Sequence, residues 1–447
     1  MISRVLVANR GEIAVRVIRA CRDLGLTAVA VYSEADADAL HVSLADEAVP
    51  IGPAPARSSY LDVSQVVGAA RDTNCDAVHP GYGFLAENPA LPRACQAAGL
   101  VFVGPPAEVI ERVGDKVSAR AAAEAAHVPV VPGSGRLASA GAALEYATEV
   151  GFPVLLKAAA GGGGRGIRRV GSAEELPAEF TSAAREAESA FGDGGLFVEK
   201  CIVDARHVEI QVLADAHGSV VHLGERECSL QRRRQKLVEE APAPGLPEAL
   251  RKEIGAAAVR LAREVGYRGA GTVEFLVDPS TWAYYFIEVN ARIQVEHGIT
   301  ELVTGVDLVA TQLRIADGSP LPFAQDEVVA RGVAMEFRIN AEDPARGFFP
   351  SPGTLSLMRP PAGPGVRVDT GFESGRVVPP FYDSLLAKLM VWAPDRPAAL
   401  ARARRALAEL RVEGVATTAA LHGRILDWPD FVAGRYHTGS LEAFLNG

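Results

Sequence analysis

Residues 154–170 read VLLKAAAGGGGRGIRRV. Within them, 161–166 fit the spacing G-x-G-x-x-G. In a dinucleotide-binding unit that spacing follows a strand and opens a helix, so that a pyrophosphate meets the helix N-terminus. Here a strand pattern, 154–157, precedes the glycines, and a second one, 167–170, follows them directly. Strand, glycine loop, strand is a hairpin. Glycines leave the backbone N–H groups free to approach closely, so the expectation is a flap laid across phosphates, with Lys157 just upstream. A plain surface loop is the alternative. The pattern G-x-x-x-x-G-K-[ST] is absent, which excludes a P-loop enzyme.

Outward from this stretch the pattern changes twice. Toward the N-terminus, strand and helix alternate. Residues 4–8 read as a buried strand, and 11–24 as a helix carrying Ile13, Val17, Ile18, Cys21 and Leu24 at helical spacing. A strand at 27–32, a helix at 63–71 and a strand at 77–79 follow, the last leading into the loop Pro80-Gly81-Tyr82-Gly83. Such alternation predicts a parallel sheet with right-handed crossovers, and it puts the turn 9–11 at the carboxyl edge, where these sheets bind ligands. A boundary falls near 129–135 (PVVPGSG). From there to about 204, helices at 140–150 and 173–190 and a strand at 196–201 complete a small α+β lobe around the glycine hairpin. Residues 205–335 carry hairpins and one long helix, 247–265. Residues 332–340 open a last segment, rich in Pro and Gly to about 382, which ends in a helix at 396–410.

The densest chemical pattern is 286–296, FIEVNARIQVE. Glu288, Asn290, Arg292, Gln294 and Glu296 alternate with Val289, Ala291, Ile293 and Val295. In one extended strand the five polar groups would share a face. A half-exposed strand is the bland reading. The turn Asp278-Pro279-Ser280 and the strand pattern 271–277 before it predict a hairpin that sets Glu274 beside Glu288. Two carboxylates and an amide oxygen, with no base between them, would repel one another unless a hard cation such as Mg²⁺ were bound. Farther along, Arg292 is an anion-binding cation beside a candidate general base, Glu296.

The 447 residues carry a net charge of −10, with 48% hydrophobic and 22% charged residues. That balance is globular, and it offers no basic face for nucleic acid. No apolar run is long enough to span a bilayer, and the interrupted N-terminus does not make a signal peptide, so the expectation is a cytoplasmic protein. Five cysteines at wide spacing are expected to be reduced thiols. Of 45 basic residues only six are lysine: Lys116, Lys157, Lys200, Lys236, Lys252 and Lys388. A tight anion pocket can accept the compact ammonium and reject the arginine fork. The run 231–236 (QRRRQK) concentrates four cations in an acidic chain, either as a solvated charge run or as the lining of an anion pocket.

Taken together, residues 8–14 (ANRGEIA), 79–88 (HPGYGFLAEN), 114–116 (GDK), 157–166, 206–211 (RHVEIQ), 288–297 (EVNARIQVEH) and 338–343 (RINAED) closely resemble biotin carboxylase, in particular the free-standing subunit of bacterial acetyl-CoA or acyl-CoA carboxylase. The resemblance implies a fold that is α/β and α+β. An N-terminal Rossmann-like (pre-ATP-grasp) domain would span 1–114, an ATP-grasp domain 115–333 with a mobile lid lobe at 130–204, and a C-terminal α+β domain 334–447. It implies ATP- and bicarbonate-dependent carboxylation of biotin N1′ through carboxyphosphate. For ATP it implies Lys116, Lys157, Gly163, Gly164, Glu199, Lys200, Ile202, His207, Gln231 and Arg234. For Mg²⁺ (or Mn²⁺) it implies Glu274, Glu288 and Asn290. For bicarbonate it implies Lys236, Arg292, Gln294, Val295 and Glu296, with Glu296 as base. For biotin it implies Tyr82, Gly83 and the enolate partner Arg338. The partners implied are a separate biotin carboxyl carrier protein, a carboxyltransferase and a second copy in a homodimer. None of the four methionines (1, 335, 358, 390) frames a Met-Lys-Met biotinylation site.

The chain departs from the family at Arg234, usually His or Asn, at Gly298, usually Pro and here expected to loosen a turn, and at Thr418, usually Asn. Two rivals remain at this stage. Another ATP-grasp ligase would share the flap and metal residues without needing Arg292, Glu296 and Arg338 together. A lapsed nucleotide-binding subunit is opposed by the intact set Lys116, Lys157, Glu274, Glu288 and Arg338.

Overall fold

The computed structural model describes residues 1–159 and 166–446; the expected flap residues Gly163 and Gly164 lie outside them. In the strand Arg4–Val7 successive side chains point to opposite faces. Val5 and Val7 join Ile13, Val17 and Ile18 of the helix Gly11–Asp23 in one core, while Leu6 joins Val29, Val31 and Leu91 in another. With both faces covered, the sheet is parallel throughout. Its order is Glu47–Pro50, Thr27–Tyr32, Arg4–Val7, Ala77–His79, Val101–Phe102. The turn 9–11 lies at the carboxyl edge and acts as a bracket. Buried Asn9 donates from Nδ2 to the carbonyls of Pro80 and Tyr82, each at 2.7 Å, and Arg10 pairs with buried Asp36 at 2.6 Å.

The small lobe has its own three-stranded antiparallel sheet, in the order Ile167–Val170, Val154–Ala158, Leu196–Lys200. Lys157 pairs with Ile167, so the strands flanking the glycines are neighbours, as a hairpin requires. The helices Ala140–Val150 and Leu176–Phe191 cover this sheet, and the resulting core shares no residue with any other. The second helix starts three residues later than the apolar spacing suggests. The Glu175 carboxylate takes the Gly171 N–H at 2.9 Å, which commits the intervening residues to a turn.

The remaining chain builds one eight-stranded antiparallel sheet. Its order is Tyr284–Asn290, Gly269–Val277, Arg206–Ala214, Val220–Arg232, Gln235–Ala241, Val333–Asn340, Leu385–Ala393, Val366–Thr370. The sheet continues without a break from the central region into the C-terminal one, because Gln235–Ala241 pairs with Val333–Asn340. The helices Arg396–Glu409 and Ala419–Asp427 and the long helix Glu248–Glu264 cover parts of its surface. Among the described residues no helix is long and apolar enough to cross a membrane.

One expectation is corrected. Residues 286–296 are not a single strand: the strand ends at Asn290, and a helix, His297–Thr304, begins directly after Glu296. The reason is a distant carboxylate. Glu87 accepts the Ala291 N–H at 3.0 Å and also holds Arg292 Nε at 2.8 Å, so the chain just beyond Asn290 is tied to residue 87.

Candidate active site

The polar residues of 286–296 still converge, by two routes. In the strand part, Glu288 lies directly across from Glu274 and Asn290 across from Thr272, the pairing the hairpin predicts. Asn290 Nδ2 donates to Glu274 Oε1 at 2.9 Å. In the irregular part, Ile293 turns into the core, while Gln294 and Glu296 turn toward the strand Gln235–Ala241.

Lys236 is the hub. Its ammonium donates to Glu209 Oε2 at 2.5 Å, Glu296 Oε1 at 2.6 Å and Glu274 Oε1 at 3.2 Å, and Gln294 Oε1 lies at 3.5 Å. The expectation that no base lies between the paired carboxylates is therefore corrected. Lys236 and His207, whose Nε2 is 2.8 Å from Glu274 Oε2, both reach Glu274 across the sheet. Burial alone would raise the Glu274 carboxyl, but Lys236 and His207 hold it well below the usual range. Its cross-strand neighbour Glu288 moves the other way, pushed up by desolvation and then by Glu274 and Glu87. A hard cation on the Glu274, Glu288 and Asn290 oxygens would relieve that repulsion, so the donor set fits magnesium.

Glu296 is 1% exposed. Burial would raise its pKa, yet Lys236, Arg338 and Arg226 bring it well below the usual carboxylate value. Arg338 reaches Glu296 Oε2 at 3.0 Å and donates from Nε to Glu239 Oε1 at 2.7 Å. Its backbone carbonyl is fixed from behind by His422 and by Thr418 Oγ1, each at 2.7 Å. Thr418 thus anchors the strand that carries Arg338. Arg292, held by Glu87, also donates to Asn290 Oδ1 at 2.9 Å. The Cys228 thiol, 3.9 Å from Glu296 Oε1, is pushed far up by burial and stays protonated.

The nucleotide candidates fall on two bodies. On the lobe, Lys157 is ion-paired with Glu199, and Lys200 donates to the Gly151 carbonyl at 2.7 Å. Ile202 is half-buried just beyond the lobe's last strand. Lys116 opens the helix Lys116–Ala125, whose cap Asp115 accepts the Ser118 N–H. On the main sheet, His207 and Gln231 are buried, and Gln231 pairs across its hairpin with Lys236. The run 231–236 is that hairpin's turn. Arg232 lies over the Phe348 ring, while Arg233 and Arg234 are exposed at the tip with φ of 47° and 69°. Tyr82 donates to Glu12 Oε1 beneath the loop, and Gly83 is exposed on it.

Four contributors are not singled out by the sequence: Glu87, Glu209, Arg226 and Glu239. Arg226 has no exposed surface and uses its whole fork, on Glu209 at 2.5 Å, Gln211 at 2.7 Å, Thr300 at 2.9 Å, Thr272 at 3.1 Å and Gln294 at 3.3 Å. Period-two alternation in Arg206–Ala214 places His207, Glu209 and Gln211 on one face, a signal that could have found Glu209. Gly298, where a looser turn is expected, is helical. It is buried in the first turn of His297–Thr304, and a Cβ there would overlap Met390 Sδ, so a neighbouring side chain fills the space.

Comparison with known proteins matches this arrangement along its length. Residues 1–110 match the family model of the biotin carboxylase N-terminal domain. Residues 115–324 match that of the carbamoyl-phosphate synthase L chain ATP-binding domain, and residues 336–443 that of the biotin carboxylase C-terminal domain. Biotin carboxylase 1 of Bacillus subtilis is 51% identical over 445 residues, covering 99% of each chain. Biotin carboxylase of Pseudomonas aeruginosa is 51% identical over 444 residues, covering 99% of this chain and 98% of its own. The biotin carboxylase domain dimer of Hydrogenobacter thermophilus 2-oxoglutarate carboxylase, solved with MgADP, ADP and bicarbonate, is 48% identical with a TM-score of 0.91. That match covers 99% of this chain and 98% of the other. An ATP-grasp body with the buried Glu296 carboxylate held between an ammonium and a guanidinium, matched over its whole length at about half identity, places the chain in the biotin carboxylase family.

Proposed function

We infer that this chain carboxylates N1′ of carrier-bound biotin at the expense of ATP and bicarbonate, the first half-reaction of an acetyl-CoA or acyl-CoA carboxylase. The observation that carries this reading is the placement of Glu296. One buried carboxylate is shared by Lys236, on the side of the proposed bicarbonate pocket, and Arg338, on the side of the proposed biotin pocket.

The charges set the order of events. In the free site three cations, Lys236, Arg338 and Arg226, keep Glu296 ionised but weakly basic. Bicarbonate bound on Lys236, Arg292, Gln294 and Val295 would share those cations, raise the basicity of Glu296 and present its proton to it. The resulting oxyanion attacks the γ-phosphate of ATP; the bond from Pγ to the β–γ bridging oxygen breaks, and ADP leaves as carboxyphosphate forms. Lys116 and Lys157 would oppose the growing phosphoryl charge, and Lys157 would exchange its partner Glu199 for phosphate oxygens. Magnesium on Glu274, Glu288 and Asn290 would supply further charge neutralisation at the phosphates. Carboxyphosphate splits into CO₂ and phosphate. Phosphate accepts the N1′ proton, Arg338 opposes the enolate charge, and N1′ attacks CO₂. Gly163 and Gly164 would close over the phosphates. Glu199, Lys200, Ile202, His207, Gln231 and Arg234 would line the nucleotide, and Tyr82 and Gly83 the ureido ring.

The division at 1–114, 115–333 and 334–447 is proposed on the same basis, as are a carboxyltransferase partner and a homodimer. The biotinyl group would come from a carrier outside these 447 residues. All five cysteines are free, which suits a reducing, cytoplasmic setting.

The test is ATP turnover with and without bicarbonate and free biotin. The native chain should show bicarbonate-dependent turnover, and its absence would remove the assignment. Arg338→Ala should keep ATP binding and lose biotin carboxylation by about 10²-fold or more. Near-normal carboxylation in that variant would remove the enolate role.

A further inference from the structure

Lys388 is one of six lysines in an arginine-rich chain, and the mechanism above does not use it. It is wholly buried. Its ammonium donates to the carbonyl of Val295 at 2.9 Å, pairs with Glu12 Oε2 at 3.0 Å and lies 3.9 Å from Asp369 Oδ2. Each contact belongs to a different part of the molecule. Glu12 sits in the first turn of Gly11–Asp23, and its other oxygen accepts the Tyr82 hydroxyl. Asp369 is cross-strand to Lys388 on Val366–Thr370 and is held by both arms of Arg367. Arg338 is cross-strand to Lys388 on the other side, so Asp369, Lys388 and Arg338 form one row across the sheet face.

The Val295 carbonyl belongs to the peptide that joins Val295 to Glu296. Holding that oxygen fixes the plane of the base's own backbone N–H. The segment 291–296 has no sheet partner to do this. Its other backbone contacts include Glu87 on the Ala291 N–H at the start and the 2.7 Å contact between His297 Nδ1 and the Gln294 carbonyl at the end, while Lys236, Arg226 and Arg338 hold the side chains of Gln294 and Glu296. An ammonium suits the position because it offers three donors from one point, whereas a guanidinium fork needs a planar approach.

We propose that Lys388 is a positioning residue: it holds the bicarbonate loop through the Val295 carbonyl and, through Glu12, ties that loop to Tyr82 of the biotin loop. The proposal rests on the assignment of bicarbonate to residues 292–296.

The experiment uses the full chain, with Lys388→Met and the charge-compensated double variant Lys388→Met/Glu12→Gln. The double variant removes the buried charge imbalance, and its introduced amide oxygen can still accept from the Tyr82 hydroxyl. If Lys388 positions the loop, the double variant recovers the native melting temperature, while the KM for bicarbonate in ATP turnover stays raised about tenfold or more, the effect of a lost charge-assisted bond, and the KM for MgATP moves less than about twofold. If Lys388 only balances Glu12, the double variant recovers bicarbonate KM together with stability, and the proposal falls. It falls equally if Lys388→Met folds with native bicarbonate KM, or if the double variant does not fold, which would assign Lys388 to the core alone. Native protein lacking bicarbonate-dependent turnover would instead remove the functional reading beneath it.

Discussion

The lobe around the glycine hairpin and the eight-stranded sheet handle charge in opposite ways. In the lobe Arg168 reaches Glu179 at 2.8 Å and Glu186 at 2.6 Å, and all three side chains are at least 32% exposed. On the sheet Arg226 meets Glu209 at 2.5 Å with no exposure on either side. Water and salt screen the first kind of pair and hardly touch the second. The lobe also keeps a separate apolar core, so, as the mobile lid it is proposed to be, it could shift as a unit without opening a buried charge. The sheet cannot, because Lys236 alone serves three carboxylates. Residues proposed to grip the nucleotide therefore ride on a loosely charged body, while the proposed base sits in a frame that holds its charges before any substrate arrives.

The contrast is sharpest at Lys236. Lys236→Met leaves Glu209, Glu274 and Glu296 without their shared ammonium. Breaking a buried pair by removing one partner costs about 3–5 kcal/mol. Denaturant unfolding should show that loss, and bicarbonate-dependent turnover should vanish with it. A variant of native stability would mean that water reaches this centre, and the distinction between the two regions would fail.

Glu239 gives a smaller effect with a definite sign. Burial pushes its carboxyl from the ordinary 4.5 up to about 7, against the pull of Arg338. Between those values the folded chain holds a proton that the unfolded chain lacks. The stabilisation is complete below about pH 4.5 and is lost as pH rises through about 7, with a slope of at most ~1.4 kcal/mol per pH unit. Melting curves from pH 5 to 7.5 should therefore fall less steeply for Glu239→Gln than for the native chain. Equal slopes would show that the carboxyl titrates as an exposed one does.

Much of this is legible locally. The strand Thr27–Tyr32, the helix Ala140–Val150 and the strand Ile167–Val170 stand where periodicity places them, and Glu274 faces Glu288 as the turn between their strands implies. The strand through 286–296 misleads because its alternation is genuine up to Glu296. What ends it at Asn290 is a carboxylate about 200 residues away, and periodicity carries no information about such a contact. Arg226 escapes for a related reason. In Val220–Arg232 it is one charge among several, and its weight comes from partners on other strands and on the helix His297–Thr304. A motif can show which residues alternate, but not which alternating charge meets another across a sheet.

The smallest expected effect tests the other half of the contrast. Arg168→Gln removes two exposed pairs of the lobe, each worth about 0.2–1 kcal/mol at low salt. Those pairs link the strand Ile167–Val170 to the helix Leu176–Phe191, so their loss should speed amide exchange in that strand by less than about fivefold per pair. At about 1 M salt, where the screening length falls to ~3 Å, native and variant rates should converge. Among the lobe's described pairs the most covered is Lys157–Glu199, and it lies where the nucleotide is proposed. An Arg168 effect that survived high salt would place the lobe's surface pairs with the buried charges of the sheet. The lobe would then be as fixed electrostatically as the frame holding Glu296, and its separate core would no longer be reason to treat it as a body that moves.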